Sequence, residues 1–156
     1  MAPLSAAHRF RPVANLLNGS TVAGLAIARL GRATVRSGPD GLVLAEGYRL
    51  RFPVAGAFTV GNVILTATTF DELERCSPNV LRHEARHAWQ YVCTGVLFLP
   101  LYVAAMGWSV VRTGDRAARN VFERWARLAD GGYTDVPVRP LRSWFAPLLR
   151  RPRSGE

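Results

Sequence analysis

"VLRHEARHAWQYV", residues 80–92, holds two of the chain's three histidines, four positions apart, with a glutamate beside the first. The segment follows "SPNV" (77–80), where Ser77 suits an N-cap and Pro78 a first helical residue, so a helix is predicted. At about 100° per residue, Leu81, Ala85, Ala88, Trp89 and Val92 share an apolar side, while Arg82 and Arg86 point to solvent. His83, His87 and Gln90 share the remaining face, with Glu84 at its margin. Four-residue spacing brings two imidazoles within reach of one cation, and Zn²⁺ takes nitrogen ligands at ~2.0–2.1 Å. Glu84, about a quarter turn away, then reaches a water in the fourth position rather than the metal. Zinc brings the pKa of such a water to around 7, and a carboxylate can take its proton and hand it to a leaving amine. The pattern His-Glu-x-x-His therefore makes His83 and His87 candidate ligands and Glu84 the candidate general base. The competing reading is two histidines on a polar helix face. Helical start signals, the shared face and the scarcity of histidine elsewhere (His8 alone) favour the metal.

Such a site needs a third protein ligand, and the downstream acids ahead of the tail are Asp115, Glu123, Asp130 and Asp135. "GDRAARNVFERWARLADGG" (114–132) reads as a helix from Asp115 as N-cap to Asp130, stopped by Gly131. Val121, Trp125 and Leu128 face one way on it; Arg116, Asn120, Glu123 and Arg127 face the other. Glu123 is the best placed candidate. Arg119 and Arg127, at i−4 and i+4, would equally make it the centre of a surface ion-pair row. Spacing alone leaves both open.

A chain of 156 residues is one domain's worth, expected to run over 1–135, with 136–156 an Arg/Pro-rich tail. The net charge of +9 raises nucleic acid or an anionic membrane as partners. All twenty basic residues are arginine and spread from Arg9 to Arg153, with no nucleic-acid motif among them, so nucleic-acid binding is not expected. Cys76 and Cys93 would sit roughly 25 Å apart along the helix and read as unpaired thiols, as a reducing compartment allows. Residues 1–19 have no uninterrupted apolar core, so no signal peptide is recognised.

"STVAGLAIARLG" (20–31) reads as a short helix with Ser20 or Thr21 as cap and Gly31 as stop. "ATVRSGPDGLVLAEGYRLRF" (33–52) places a Pro-Asp-Gly turn between alternating apolar runs, a β-hairpin. "GAFTVGNVILTAT" (56–68) reads as one strand, and "TFDELER" (69–75) as a short helix with Thr69 and Glu72 at capping-box spacing.

The combination "HEARHAWQY", "GVLFLPLY" and "RTGDRAARNVFERWA" resembles a set of small, uncharacterised bacterial zincin-like proteins with the pattern His-Glu-x-x-His-x-x-Gln-Tyr, Gly-x-Leu-Phe-x-Pro-x-Tyr, Asn-x-Phe-Glu-x-x-Ala. "FTVGNVIL" is similar to the Thr-x-Gly-Asn/His strand before their metal helix. A looser resemblance reaches the metallopeptidase-like core domain of extracellular contractile injection systems. The likeness covers roughly residues 56–130. It implies a zinc-dependent metallopeptidase-like hydrolase: one zinc ion on His83, His87 and Glu123, Glu84 as general base, and strand 58–65 taking an extended peptide or protein substrate. Thermolysin-like zincins carry an Asp four residues after the third ligand. Here Arg127 stands there, so that supporting contact is absent or passes to another residue, Asn120 being one choice. A non-catalytic, zinc-stabilised binding or assembly module is the alternative. Gln90 would line the site or orient a ligand, and Tyr91, Tyr102, Tyr133 and His8 are unranked candidates for the oxyanion donor.

Residues 88–111 carry no charge, and "VCTGVLFLPLYVAAMGWSVV" (92–111) is about long enough to cross a bilayer. A straight span would leave Glu123 roughly 30 Å from the histidines, so span and metal site exclude each other. Gly95 and Pro100 should break the run, leaving a buried helix or a re-entrant hairpin. Residues 92–111 and the tail "RPLRSWFAPLLRRPR" (139–153) are candidates for contact with an anionic membrane surface; for the tail the alternative is a solvated basic segment. Localisation is expected to be cytoplasmic or peripheral on the inner face of the membrane. A metal-free membrane-associated protein with a chance HExxH is the third reading. The expected architecture is α+β: an N-terminal hairpin and strand packed on the metal helix, then an apolar helical segment and a third-ligand helix.

Overall fold

The computed structural model describes residues 6–51 and 56–140 and is α+β. Its helices are α1 (Ala6–Leu17), α2 (Ser20–Leu30), α3 (Phe70–Cys76), α4 (Val80–Thr94), α5 (Phe98–Thr113) and α6 (Val121–Trp125). Its strands are β1 (Thr34–Ser37), β2 (Val43–Glu46), β3 (Ala57–Val60) and β4 (Val63–Thr66), in the sheet order β1-β2-β4-β3. The end of the expected hairpin, Phe52, and most of the basic tail lie outside the described residues.

The Pro-Asp-Gly turn does join an antiparallel pair, β1 with β2. The stretch 56–68 is not one strand but two, β3 and β4, folded back at Gly61 and Asn62 with Val60 opposite Val63. Gly61 has φ +62, and a β-carbon there would meet the backbone of Ser20 at 2.4 Å. Only glycine satisfies both the left-handed turn and that close approach. β4 then pairs in parallel with β2, Leu44 beside Ile64, and β3 becomes an outer strand. Period-two alternation sends Ala45, Val63 and Leu65 into one apolar cluster with Ala28 of α2, and Leu44 and Ile64 into another with Phe70 and Ala88.

Residues 6–17 form a helix that composition conceals, because its amphipathicity is inverted. Phe10, Val13, Leu16 and Leu17 are exposed, whereas Arg11 and Asn15 are buried. Arg11 Nε donates to Asn62 Oδ1 at 3.0 Å, and Asn15 Nδ2 donates to the Ala88 carbonyl at 2.8 Å. These hydrogen bonds dock α1 on the turn of β3–β4 and on α4, which apolar patterning cannot reveal.

Several caps differ from expectation. Gly19, not Ser20 or Thr21, precedes α2, and Ser20 is its first residue. Thr69 caps α3 as expected, its hydroxyl accepting from Glu72 N. Ser77 ends α3 rather than starting α4; Asn79 is the residue before α4. Gly95, at φ +56, breaks the apolar run, but Pro100 does not: it sits in the first turn of α5, where the missing N–H costs no helical bond. Cys76 and Cys93 are both free thiols.

The expected helix from Asp115 to Asp130 is largely absent. Asp115 Oδ1 accepts from the amides of Ala117 and Ala118, each at 2.8 Å, closing a separate turn. Asn120 Oδ1 then accepts from Phe122 N and starts the five-residue α6. Two polar side chains competing for backbone partners interrupt what propensity alone would continue. Arg127, at φ 65, ends α6, and a 3₁₀ turn follows over Leu128–Gly131. Val121 and Trp125 face opposite to Glu123, as expected, and it is Glu123 that is buried while they are exposed.

Candidate metal centre

α4 buries its polar face more completely than most of its apolar one. His83, Glu84, His87 and Gln90 are 2 %, 5 %, 6 % and 2 % exposed, while Leu81, Ala85 and Trp89 are half-buried. The imidazoles of His83 and His87 lie perpendicular with their Nε2 atoms 3.1 Å apart. Glu123, 2 % exposed, arrives from α6 with Oε2 3.1 Å from His83 Nε2 and Oε1 3.6 Å from His87 Nε2. Ligand atoms of the three residues lie within 4.8 Å of one another, a group able to hold a metal ion. The surface ion-pair row is not formed: Arg119 pairs with Asp135 instead.

The hydrogen bonds behind the rings fix their protons. His83 Nδ1 is 3.0 Å from the Ala126 carbonyl and 3.2 Å from that of Arg127. Both are acceptors only, so Nδ1 carries the proton. Gln90 Nε2 donates to the Phe122 carbonyl at 2.8 Å, which turns its Oε1 toward His87 Nδ1 at 2.8 Å. In their neutral forms both histidines therefore aim Nε2 lone pairs at each other, beside a carboxylate. With neutral histidines, Glu123 Oε2 is buried without a hydrogen-bond donor among the described residues. Two ligands at ~2.0–2.1 Å from a four-coordinate ion stand roughly 3.3 Å apart, which matches the 3.1–3.6 Å separations here. Lone pairs that would otherwise repel, an orphaned carboxylate oxygen and matching separations together fit a divalent cation.

Without a cation, the same cluster stays together through protons. Burial opposes ionisation of Glu123, yet hydrogen bonds from His83, His87 and Tyr102 hold its carboxyl well below the usual range. Burial would lower the His87 pKa, but the hydrogen bond to Glu123 and the charges of Glu84 and Glu123 raise it instead. The Tyr102 hydroxyl donates to Glu123 Oε1, and burial beside that carboxylate pushes its pKa far up.

Backbone, rather than an acidic side chain, holds the His83 ring from behind. The carbonyls of Ala126 and Arg127 accept from His83 Nδ1, made available because α6 stops at Trp125. Asn120 does not serve here; it caps α6. Arg86, expected on the solvent side, donates to the Ala126 carbonyl at 2.8 Å and to Asp130 at 2.6 Å, tying the 3₁₀ turn to α4. Gly131 lies against the His83 ring. No spacing rule singles out Arg86, Asp130 or Gly131.

Glu84 is anchored from the sheet: Thr59 Oγ1 of β3 donates to its Oε2 at 2.6 Å. The signal for Thr59 was present in "FTVGNVIL" but its role was not readable. Among the oxyanion candidates, His8 lies 3.4 Å from Asp40 and is outside the metal group. The Tyr91 ring packs on Phe98, with its hydroxyl buried and unpartnered among the described residues. Tyr133 stands with its ring centroid 6.0 Å from that of His83, partly exposed. Burial and the charges of Glu123 and Glu84 push its pKa up to about 12, so it remains a donor at neutral pH.

Comparison of the chain with protein-family models, with curated proteins and with solved structures finds no match to any of them.

Proposed function

We propose that this protein is a zinc-dependent hydrolase of peptide or amide bonds, with zinc held by His83, His87 and Glu123. The observation that carries the metal is the pair of Nε2 atoms 3.1 Å apart, each with its Nδ1 proton committed elsewhere. Two imidazoles and one carboxylate are a donor set that zinc accepts while keeping one position open. Bound there, zinc would supply a Lewis acid that polarises a carbonyl and brings the pKa of a water to around 7. Glu84 is the general base. Thr59 occupies Oε2, leaving Oε1 to take a proton from the attacking water and return it to the leaving nitrogen. Tyr133 donates a hydrogen bond to the developing oxyanion and keeps its proton, because Tyr102 is committed to Glu123 and Tyr91 is enclosed. β3, hydrogen-bonded on one side to β4, is the strand on which an extended substrate would align. The resemblance to zincin-like proteins points the same way.

The burial of the site favours a second reading. Ligands and Glu84 are all at most 6 % exposed, as in a metal that stabilises a binding or assembly module without turnover. Metal content by elemental mass spectrometry, on protein purified without a His-tag, tests the shared premise. Near-stoichiometric zinc that is lost in His87→Ala and Glu123→Ala is expected. No zinc in the parent after dialysis against it overturns the site. Glu84→Gln separates the two readings, since it should abolish hydrolysis of a peptide library while sparing zinc, and should leave a binding module's behaviour unchanged.

A further inference from the structure

We propose that α5 lies in the plane of an anionic membrane surface, its apolar face among acyl chains and Arg112, Arg116 and Arg139 on the lipid phosphates. This stands independently of the metal reading. No charge occurs from Leu99 to Val111. Leu99, Leu101, Val103, Trp108, Val110 and Val111 are all exposed, with Val103 at 56 % and Trp108 at 57 %. Val96 and Leu97, in the turn before the helix, extend the patch. Within Val80–Thr113 the most apolar eighteen residues have a mean hydropathy of 1.7, yet 11 % of that window is buried. A helix this apolar belongs in a core or in lipid, and α5 sends only one stripe, begun by Phe98 and Tyr102, to the core.

Two geometric facts favour lipid in the plane over a second copy or a span. The exposed apolar residues cover about 200° of the helix circumference at 3.6 residues per turn. A partner helix would cover a stripe of about half that width, whereas acyl chains have no fixed shape. The remaining stripe, Phe98, Tyr102, Ser109 and Thr113, is covered by the chain returning antiparallel. Arg119 N donates to Ser109 Oγ at 2.7 Å, and Tyr102 reaches Glu123. That return carries Asp115, Arg119 and Arg124, which a span would drag into hydrocarbon and an in-plane helix keeps on the water side.

Charge complementarity selects the anionic surface. The Arg112 guanidinium sits 5.4 Å from the Trp108 ring centroid, an arrangement suited to the headgroup layer. Arg139 N donates to the Arg112 carbonyl at 2.8 Å, and its guanidinium lies against Gly114. With exposed Arg116, three arginines gather at one end of the apolar face in a chain of net charge +9.

The test is flotation of the full chain with vesicles of phosphatidylglycerol and phosphatidylcholine in equal parts, beside vesicles of phosphatidylcholine alone. Preferential binding to the anionic vesicles is expected. Val103→Glu with Val111→Glu, both exposed, should lower the partition coefficient at least about tenfold while far-ultraviolet circular dichroism stays unchanged. Arg112→Gln with Arg116→Gln and Arg139→Gln should lower it about a hundredfold at low salt and remove the lipid preference. Failure of the parent to float with anionic vesicles overturns the proposal, as does undiminished binding of the double glutamate variant. A stable dimer that the glutamates dissociate, with no vesicle binding, would assign the face to a second copy instead.

Discussion

Gly131 lies so close to His83 that a β-carbon on it would meet Cε1 of the ring at 2.6 Å and Nε2 at 2.8 Å. The His83 ring is thus held between two carbonyls at Nδ1 and a glycine at its edge. Gly131→Ala must displace the ring, and the expected consequence is a loss of zinc affinity of about ten- to a hundredfold, as for other contacts that orient a ligand. Competition with a chromogenic chelator measures it. Gly107→Ala, where a β-carbon meets nothing within 4 Å, is the control and should bind zinc as the parent does.

Gln90 joins His87 to the carbonyl of Phe122, the residue before Glu123. Gln90→Ala removes both contacts, releasing the ring and leaving a buried carbonyl without its donor. Zinc affinity should fall about tenfold or more, and the metal-free chain should lose about 1–3 kcal/mol. Urea unfolding with and without chelator separates the two effects. Equal loss in both conditions would mean that Gln90 supports the fold and does not orient the ligand.

Thr59 is expected to position Glu84 without contributing to metal binding. Thr59→Val keeps the shape, removes the hydroxyl that donates to Oε2, and should cost about 1–3 kcal/mol of stability. Zinc content should be unchanged. Thr59→Ser, which restores the donor, should recover most of the loss; no recovery would assign the effect to packing of the γ-methyl.

The metal-free chain should be most stable at mildly acidic pH. The folded pKa of Glu123 is lowered, so its stabilisation is present above the unfolded carboxylate value of about 4.3 and is lost as pH falls through the folded value. The folded pKa of His87 is raised, so its contribution is full below about 6.5 and is lost as pH rises through the folded value. Urea midpoints recorded against pH in chelator should therefore pass through a maximum between those limits. His87→Ala should flatten the alkaline side; an unchanged profile would show that the His87–Glu123 pair does not form in solution.

Local patterns were legible wherever the interaction is short in sequence. The β1–β2 hairpin follows from Pro39, Asp40 and Gly41, the α3 cap from Thr69 and Glu72, and the shared face of His83, His87 and Gln90 from helical spacing. Reading 56–68 as one strand failed because Gly61 and Asn62 take their turn from contacts with α2 and α1, remote in sequence. The helix 6–17 was hidden because its buried side chains are Arg11 and Asn15, whose partners lie on other elements.

By itself the sequence determined that one helix carries two histidines and a glutamate on or beside one face, and that an uncharged run separates them from four acids ahead of the tail. It could not choose among the acids, since reach along a chain says nothing of direction. Tertiary structure decided it: Asp115 caps a turn, Asp130 pairs with Arg86, Asp135 pairs with Arg119, and Glu123 comes to the histidines. The physical reason is the break at Asn120 and Arg127. A continuous helix would put Val121 and Trp125 inward by hydrophobic period, whereas a short one, pinned by His83 and Arg86 to the Ala126 carbonyl, turns a carboxylate into the interior.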